Sequence, residues 1–220
     1  MECGCHAMLQ SGMRRVLWYF DFVSPFSYLS LARLGELPPE VAIVYRPVLF
    51  AGLLAHFGQK GPAEIDAKRR WTYRWCQWSA QRLGVPFCFP AAHPFNPLHH
   101  LRLAIAAGTT PAAVRAIFED LWTTGGDPSD PVRFRVLSEK LAVDPARAAS
   151  PEVKDELRKN TDEAVAAGVF GVPSFMADGE LFWGVDSLDF LKAFLADGSL
   201  LAREEMRRLD ALPVGARRRS

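Results

Sequence analysis

The stretch Val16–Phe22 (VLWYFDF) runs into Ser24-Pro25, and this junction constrains the fold more than any other part of the chain. Its β-branched and aromatic residues favour a buried or half-buried strand. Ser24 can cap the free amides of a first helical turn, while Pro25 at the first helical position loses no needed N–H and brings a suitable φ. A strand therefore hands over to a helix at Ser24. The same device recurs at Thr110-Pro111, Asp130-Pro131 and Ser150-Pro151, so Ser24 alone reads as a cap. Two features add chemistry to it: Ser24-Pro25-Phe26-Ser27 has the spacing of a dithiol C-x-x-C corner with hydroxyls in place of both sulfurs, and Val172-Pro173 lies far downstream.

The first unit is strand, helix, strand: Val16 to Phe22, about Pro25 to Leu34, then Val41 to Arg46, with Pro38-Pro39 marking the turn. That order predicts a parallel strand pair. From about Pro47 to Gly168 helical periods dominate, over Glu64 to Leu83, Leu98 to Ala107, Ala112 to Trp122, Val132 to Leu141 and Glu152 to Ala167. Trp71, Trp75 and Trp78 share one face of the first of these. That face is read as core or subunit packing in preference to a ligand-facing wall. After Gly168, Ser174 to Ala177 and Glu180 to Trp183 flank Asp178-Gly179, the signature of a type I′ hairpin. Asp186-Ser187 then opens a last helix through Leu195, which Gly198 ends.

The fold class expected is α/β, a thioredoxin-like fold with a large all-helical insertion. Its parts are 13–48 plus 168–198 for the sheet domain, 49–167 for the inserted helices, and 199–220 for a surface helix and basic tail. Residues 1–12 are expected to be a disordered extension, and an over-extended reading frame with Met13 as the true start is one hypothesis for them.

With 220 residues, 49% of them hydrophobic, the chain can bury a sizeable core. A net charge of +1 gives no broad attraction for nucleic acid or an anionic membrane. No apolar run reaches the roughly 18 residues of a membrane span, and the start lacks a signal-peptide pattern, so a soluble cytoplasmic protein is expected. The four cysteines, Cys3, Cys5, Cys76 and Cys88, include no C-x-x-C pair, which argues against a disulfide framework or dithiol centre. Cys76 and Cys88 read as packed thiols. Cys3-Gly-Cys5-His6 lacks companion ligands, so no metal is expected.

Four motifs, DFVSPFSYL (Asp21 to Leu29), HPFNPL (His93 to Leu98), VFGVPSF (Val169 to Phe175) and FWGVDSLDF (Phe182 to Phe190), together make the chain similar to glutathione-dependent 2-hydroxychromene-2-carboxylate isomerases. These are grouped with kappa-class glutathione transferases among DsbA-like proteins. The resemblance implies glutathione as cofactor, a small aromatic substrate and, with the tryptophan face, is compatible with a homodimer. It implies that Ser24 holds the glutathione sulfur as the catalytic residue, and that Val172 offers its backbone to the tripeptide before a cis Pro173. The alternative at Pro173 is a trans proline ending a turn. Trp183, Gly184, Val185 and Asp186 should surround the γ-glutamyl end; Asp186 either accepts from its ammonium, caps the last helix, or does both. Lys68 is the first choice for a carboxylate and Lys60 the second, each with a plain solvated lysine as the alternative. His93 falls where the isomerases contact substrate, and is otherwise a turn residue before Pro94. Gln59 stands where related sequences tend to have asparagine, and Ser187 where arginine is frequent; both alter contacts near glutathione or substrate.

A thiol attacks as its thiolate and titrates near pH 8.5 when free, so the site must stabilise the anion. Ser24 can donate O–H to sulfur, and the helix N-terminus adds positive partial charge. The implied reaction opens a hydroxychromene ring to a trans-benzylidene pyruvate by reversible thiolate addition, bond rotation and elimination. Conjugation of glutathione to electrophiles by the same thiolate is the alternative.

Overall fold

The computed structural model describes residues 13–216. The expectations for residues 1–12, including the Cys3 and Cys5 region, and for the tail Arg217 to Arg219 lie outside the described residues. A mixed four-stranded sheet of order β2-β1-β3-β4 is built from β1 (Arg14–Phe20), β2 (Val41–Pro47), β3 (Ser174–Ala177) and β4 (Glu180–Trp183). β1 runs parallel to β2 through the crossover helix α1 (Pro25–Arg33), and antiparallel to β3, which pairs with β4. Asp178 and Gly179 take φ of +50° and +87° at the β3–β4 turn, as a type I′ hairpin requires. This is the thioredoxin-like order, with helices between β2 and β3.

Those helices are α2 (Phe50–His56), α3 (Asp66–Leu83), α4 (Leu98–Ala106), α5 (Pro111–Thr123), α6 (Pro131–Lys140), α7 (Pro145–Ala148) and α8 (Pro151–Ala166). After the sheet come α9 (Leu188–Ala196) and α10 (Glu204–Asp210). Thr110, Asp130 and Ser150 cap α5, α6 and α8 with side-chain oxygens that accept from the amides of Ala113, Val132 and Val153. Each is followed by proline at the first helical position, as the dipeptides predict. The last helix differs from expectation: Ser187 rather than Asp186 flanks α9, without a side-chain cap, because Val185–Ser187 form a 3-10 turn first.

Alternation along β1 sends Val16, Trp18 and Phe20 to one face and Leu17 and Tyr19 to the other. On the first face they join Phe22, Tyr28, Leu101, Val114, Phe118, Trp122, Phe175, Phe182 and Leu188 in one buried cluster, which reaches from the sheet into α4, α5 and α9. Phe118 anchors it, with ring centroids 4.6 Å from Phe22, 5.7 Å from Phe20 and 6.2 Å from Trp18. The second face packs Tyr19 with Leu53 of α2, Ala164 of α8, and Val169 and Val172. The inserted helices thus share the sheet's core.

The tryptophan face of α3 is not core. Trp71 and Trp78 are 61% and 51% exposed, because the helix buries its narrow side of Thr72, Cys76, Ser79 and Ala80 instead. Trp75 alone turns inward, 5.4 Å from Phe26. Cys76 is a packed thiol, pushed by burial up to about 12. Cys88, expected to be packed as well, is exposed.

β1 stops at Phe20, two residues earlier than its composition suggests, because Asp21 leaves the ladder to hold two turns together. Its fully buried carboxylate accepts from Val23 N–H at 3.1 Å and from Phe50 N–H, at the start of α2, at 2.8 Å. Burial pushes the Asp21 carboxyl up to about 7, against the pull of backbone N–H groups at Phe50, Val23 and Phe22. Because the folded value lies above the unfolded one, the folded chain holds an extra proton between the two, and stability falls as pH rises through that window.

Two outcomes are expected. Phe118→Ala empties the centre of the aromatic cluster and should cost about 3–5 kcal/mol in denaturant unfolding. Between about pH 5 and pH 8, wild type should lose on the order of 2 kcal/mol more stability than Asp21→Asn, which cannot ionise. Parallel stability curves for the two proteins would show that Asp21 is ionised throughout.

Candidate active site

The sheet brings the β1–α1 corner beside the loop that enters β3. Ser24, 5% exposed, sits in extended conformation as the N-cap of α1, its Oγ accepting from Ser27 N–H at 3.2 Å. The same hydroxyl donates to the carbonyl of Val172 at 3.4 Å, the long limit for such a bond. Its hydrogen is therefore held weakly. The first turn of α1 carries no acidic residue, so the positive end of the helix is uncompensated there. Ser27 is fully buried and its Oγ has no hydrogen-bond partner among the described residues.

The Val172-Pro173 peptide is cis, which removes the trans alternative. Ser174 Oγ donates to Gly171 O at 2.7 Å, and Gly184 N–H donates to Pro173 O at 2.9 Å, so the end of β4 is tied to this loop. Val172 N–H makes no hydrogen bond among the described residues. Over the loop lies the indole of Trp183, 55% exposed and 4.9 Å from the Phe170 ring. A methyl at Gly171 would come within 2.6 Å of Trp183 Nε1, so glycine is what lets the indole lie there. Gly184, at φ +99°, turns the chain, and a side chain there would meet Asp186 Oδ1 at 2.5 Å.

The turn that carries Asp186 is fastened to α1. Arg33 donates to Val185 O at 2.9 Å and pairs with Glu36 at 2.8 Å and with Asp189 at 3.3 Å, while Lys192 bonds Glu36 at 2.9 Å. Hydrogen bonding from Arg33, followed by that from Lys192, holds the Glu36 carboxyl down at about 2. Asp186 itself is exposed and makes no ion pair among the described residues.

The structure thus brings Ser24, Val172, Pro173, Trp183 and Gly184 into one neighbourhood, with Val185 and Asp186 on its border. Gln59 and Lys60 lie exposed in the loop after α2, and Lys68 lies exposed in the first turn of α3; none makes a side-chain bond to this group. His93 reaches the corner from the loop between α3 and α4, and the His93-Pro94 peptide that follows it is cis. Its two ring nitrogens are both engaged by the protein, Nε2 with Val23 O at 2.8 Å and Nδ1 with Tyr73 Oη at 2.7 Å. Burial lowers its pKa, so the ring is held neutral.

Three residues at the corner were not singled out in the sequence for this role. Asp21 bonds Val23 N–H, Trp122 Nε1 donates to Phe22 O at 2.9 Å from within α5, and Tyr73 bonds His93. Asp21 stood inside a quoted motif, and a carboxylate in an apolar strand was a signal. Tyr73 and Trp122 carried none, since their partners are remote in sequence. Among the described residues no group of three or more His, Cys, Asp or Glu side chains could hold a metal ion, and no helix is long and apolar enough to cross a membrane.

Comparisons with known proteins bear on the fold and the family. The model of the DSBA-like thioredoxin domain matches residues 15–196. A 2-hydroxychromene-2-carboxylate isomerase of Sphingobium xenophagum is 33% identical over 189 residues, spanning 82% of this chain and 97% of that protein. A glutathione S-transferase kappa 2 of Caenorhabditis elegans is 28% identical, spanning 83% and 92%. A solved structure of a 2-hydroxychromene-2-carboxylate isomerase superposes with a TM-score of 0.72 at 27% identity, covering 90% of this chain and all of that one. With a strand-to-helix serine facing a cis-proline loop, and with sequence and structural relatives that share most of its length, the chain belongs to the 2-hydroxychromene-2-carboxylate isomerase family of DsbA-like thioredoxin domains.

Proposed function

We propose that this enzyme is a glutathione-dependent isomerase that converts 2-hydroxychromene-2-carboxylate-type aromatic acids into trans-o-hydroxybenzylidenepyruvate. The observation that carries the reading is the Ser24 hydroxyl, at the mouth of α1 and 3.4 Å from the carbonyl of the residue before the cis proline.

The residues present fit glutathione. Val172 N–H, beside Ser24, lacks a partner among the described residues, and the corner supplies hydrogen-bond donors without a carboxylate in the first helical turn. When bound, glutathione supplies a sulfur nucleophile that adds to the conjugated double bond, allows rotation about it, and leaves unconsumed.

Ser24 would turn its hydrogen from Val172 O to the sulfur, giving up only a marginal bond and lowering the thiol pKa together with the positive end of α1. Ser24 thereby stabilises a thiolate; among the described residues its hydroxyl bonds only Val172 O and Ser27 N–H, neither of them a base that would make it a nucleophile itself. Val172 would pair its backbone with the tripeptide, as an edge pairs with an added strand. Trp183, Gly184 and Val185 would flank the γ-glutamyl end, with Asp186 accepting from its ammonium. Lys68, with Lys60 and Gln59, would meet carboxylates of glutathione or substrate. Phe170 and the exposed Trp183 offer an aromatic surface for the substrate ring. His93, with both ring nitrogens bonded within the protein, has no substrate contact in this reading. The same reading sets the enzyme in the cytoplasm, where glutathione is kept reduced.

Conjugating transferases of the kappa class use the same scaffold and are among the relatives, at 28% identity against 33% for the isomerase. An absorbance assay with 2-hydroxychromene-2-carboxylate, with and without glutathione, separates the two. Isomerisation should require glutathione and return it intact; net loss of glutathione to a halonitrobenzene without turnover of the chromene would establish conjugation instead.

Ser24→Ala should raise the pKa of the bound thiol and lower turnover at neutral pH about 100-fold, as loss of one donor to a developing anion does elsewhere. Loss of its cap should cost only about 1 kcal/mol, so the fold persists. Equal activity of variant and wild type from about pH 6 to about pH 9 would reject the role.

A further inference from the structure

The two peptide units that lead into Ser24 meet at Val23, and both are held. Val23 N–H donates to Asp21 Oδ1 at 3.1 Å, and Val23 O accepts from His93 Nε2 at 2.8 Å. Because a carbonyl only accepts, that nitrogen carries the hydrogen, and a neutral His93 has its lone pair at Nδ1, 2.7 Å from the Tyr73 hydroxyl, whose single hydrogen also reaches His93 O at 2.8 Å. Tyr73 comes from α3 and His93 from the loop between α3 and α4, so the insertion reaches the corner through this pair.

The groups around the ring leave it little else to do. Trp122 of α5 stands 5.6 Å away, and Phe89 and Phe95 stand 5.8 and 6.2 Å away. The titratable neighbours are Tyr73 on one side and Asp21 across Val23 on the other. Burial lowers the pKa of the ring against the opposing pull of the Val23 bond. Val23 O is the carbonyl directly before the Ser24 amide. Left without a donor, a carbonyl at an anion-binding corner opposes negative charge, and its peptide unit is free to tilt the cap that follows.

We propose that His93 is a positioning residue for the thiolate corner, braced by Tyr73 and donating from Nε2, so that the Val23 carbonyl is occupied and the Ser24 hydroxyl is kept where it can turn to a ligand sulfur. The proposal rests on the glutathione reading given above. It assigns His93 an effect on the ionisation of the thiol and on kcat, where a substrate contact would act on KM.

The test compares wild type with His93→Phe, His93→Gln and Tyr73→Phe, each with glutathione bound, by titrating the ultraviolet absorbance of the thiolate and recording kcat and KM against pH. Denaturant unfolding of each variant separates loss of fold from loss of alignment. His93→Phe, which keeps the ring volume but donates nothing, should raise the thiol pKa by about one unit and move the acid limb of kcat by the same amount, with KM for substrate little changed. His93→Gln, whose amide can donate near the Nε2 position, should recover most of the shift, and Tyr73→Phe should move it the same way by less. Nitrogen NMR of wild type should show the neutral Nε2–H tautomer. A lowered thiol pKa in wild type that His93→Phe leaves in place, a change in KM alone, or an Nδ1–H tautomer would each overturn the proposal while leaving the glutathione reading intact. A wild-type protein with no ionised thiol at neutral pH would instead refute the glutathione reading, and the positioning role with it.

Discussion

The turn from Asp21 to Ser24 is held at every step, partly by its own Asp21 and partly by groups from distant elements. Phe22 O takes Trp122 Nε1 from α5, Val23 N–H goes to Asp21, Val23 O takes His93, and Ser24 N–H goes to the Asp21 carbonyl. Buried backbone groups must find partners, and here each partner also fixes direction. Asp21 extends the restraint to α2 through Phe50. The corner is thus a rigid object before any ligand arrives, which is what preorganised stabilisation of an anion needs.

Its electrostatics follow from what is absent as much as from what is present. No lysine or arginine touches Ser24 among the described residues; the groups that face a ligand there are a hydroxyl, free amides and a helix end with no acid in its first turn. Such neutral donors gain strength where water is excluded and cost little reorganisation. The neutral His93 and the Asp21 carboxyl, raised to about 7, keep formal charge low on the protein side as well.

Local rules carried much of the architecture. The Ser, Thr and Asp caps followed by proline, the Asp178-Gly179 turn and the strands around it all stand where the residues indicate, because each depends on neighbours within four positions. The pairing of Ser24 with Val172 was legible only through the resemblance, since nothing local links residues so far apart. Of the two readings of the α3 tryptophans, core or subunit packing, the core one fails, because periodicity shows that three residues share a face but not which way that face points; the small residues on the buried side of α3 pack against α1. α2 and α7 escaped notice because they are short and lean on tertiary contacts. Trp122 and Tyr73 gave no sign of their bonds to the corner, because hydrogen bonds between distant elements leave no spacing to read.

A shared interior has a practical outcome for anyone wishing to shorten this protein. Cutting it back to the sheet and its crossover helix would expose Trp18, Phe20 and Phe22 to water by removing Phe118 and Trp122, and would strip two carbonyls beside Ser24 of their donors. What resembles a detachable ornament in the linear chain is a scaffold brace, and a miniature made without it would forfeit solubility and chemistry in the same stroke.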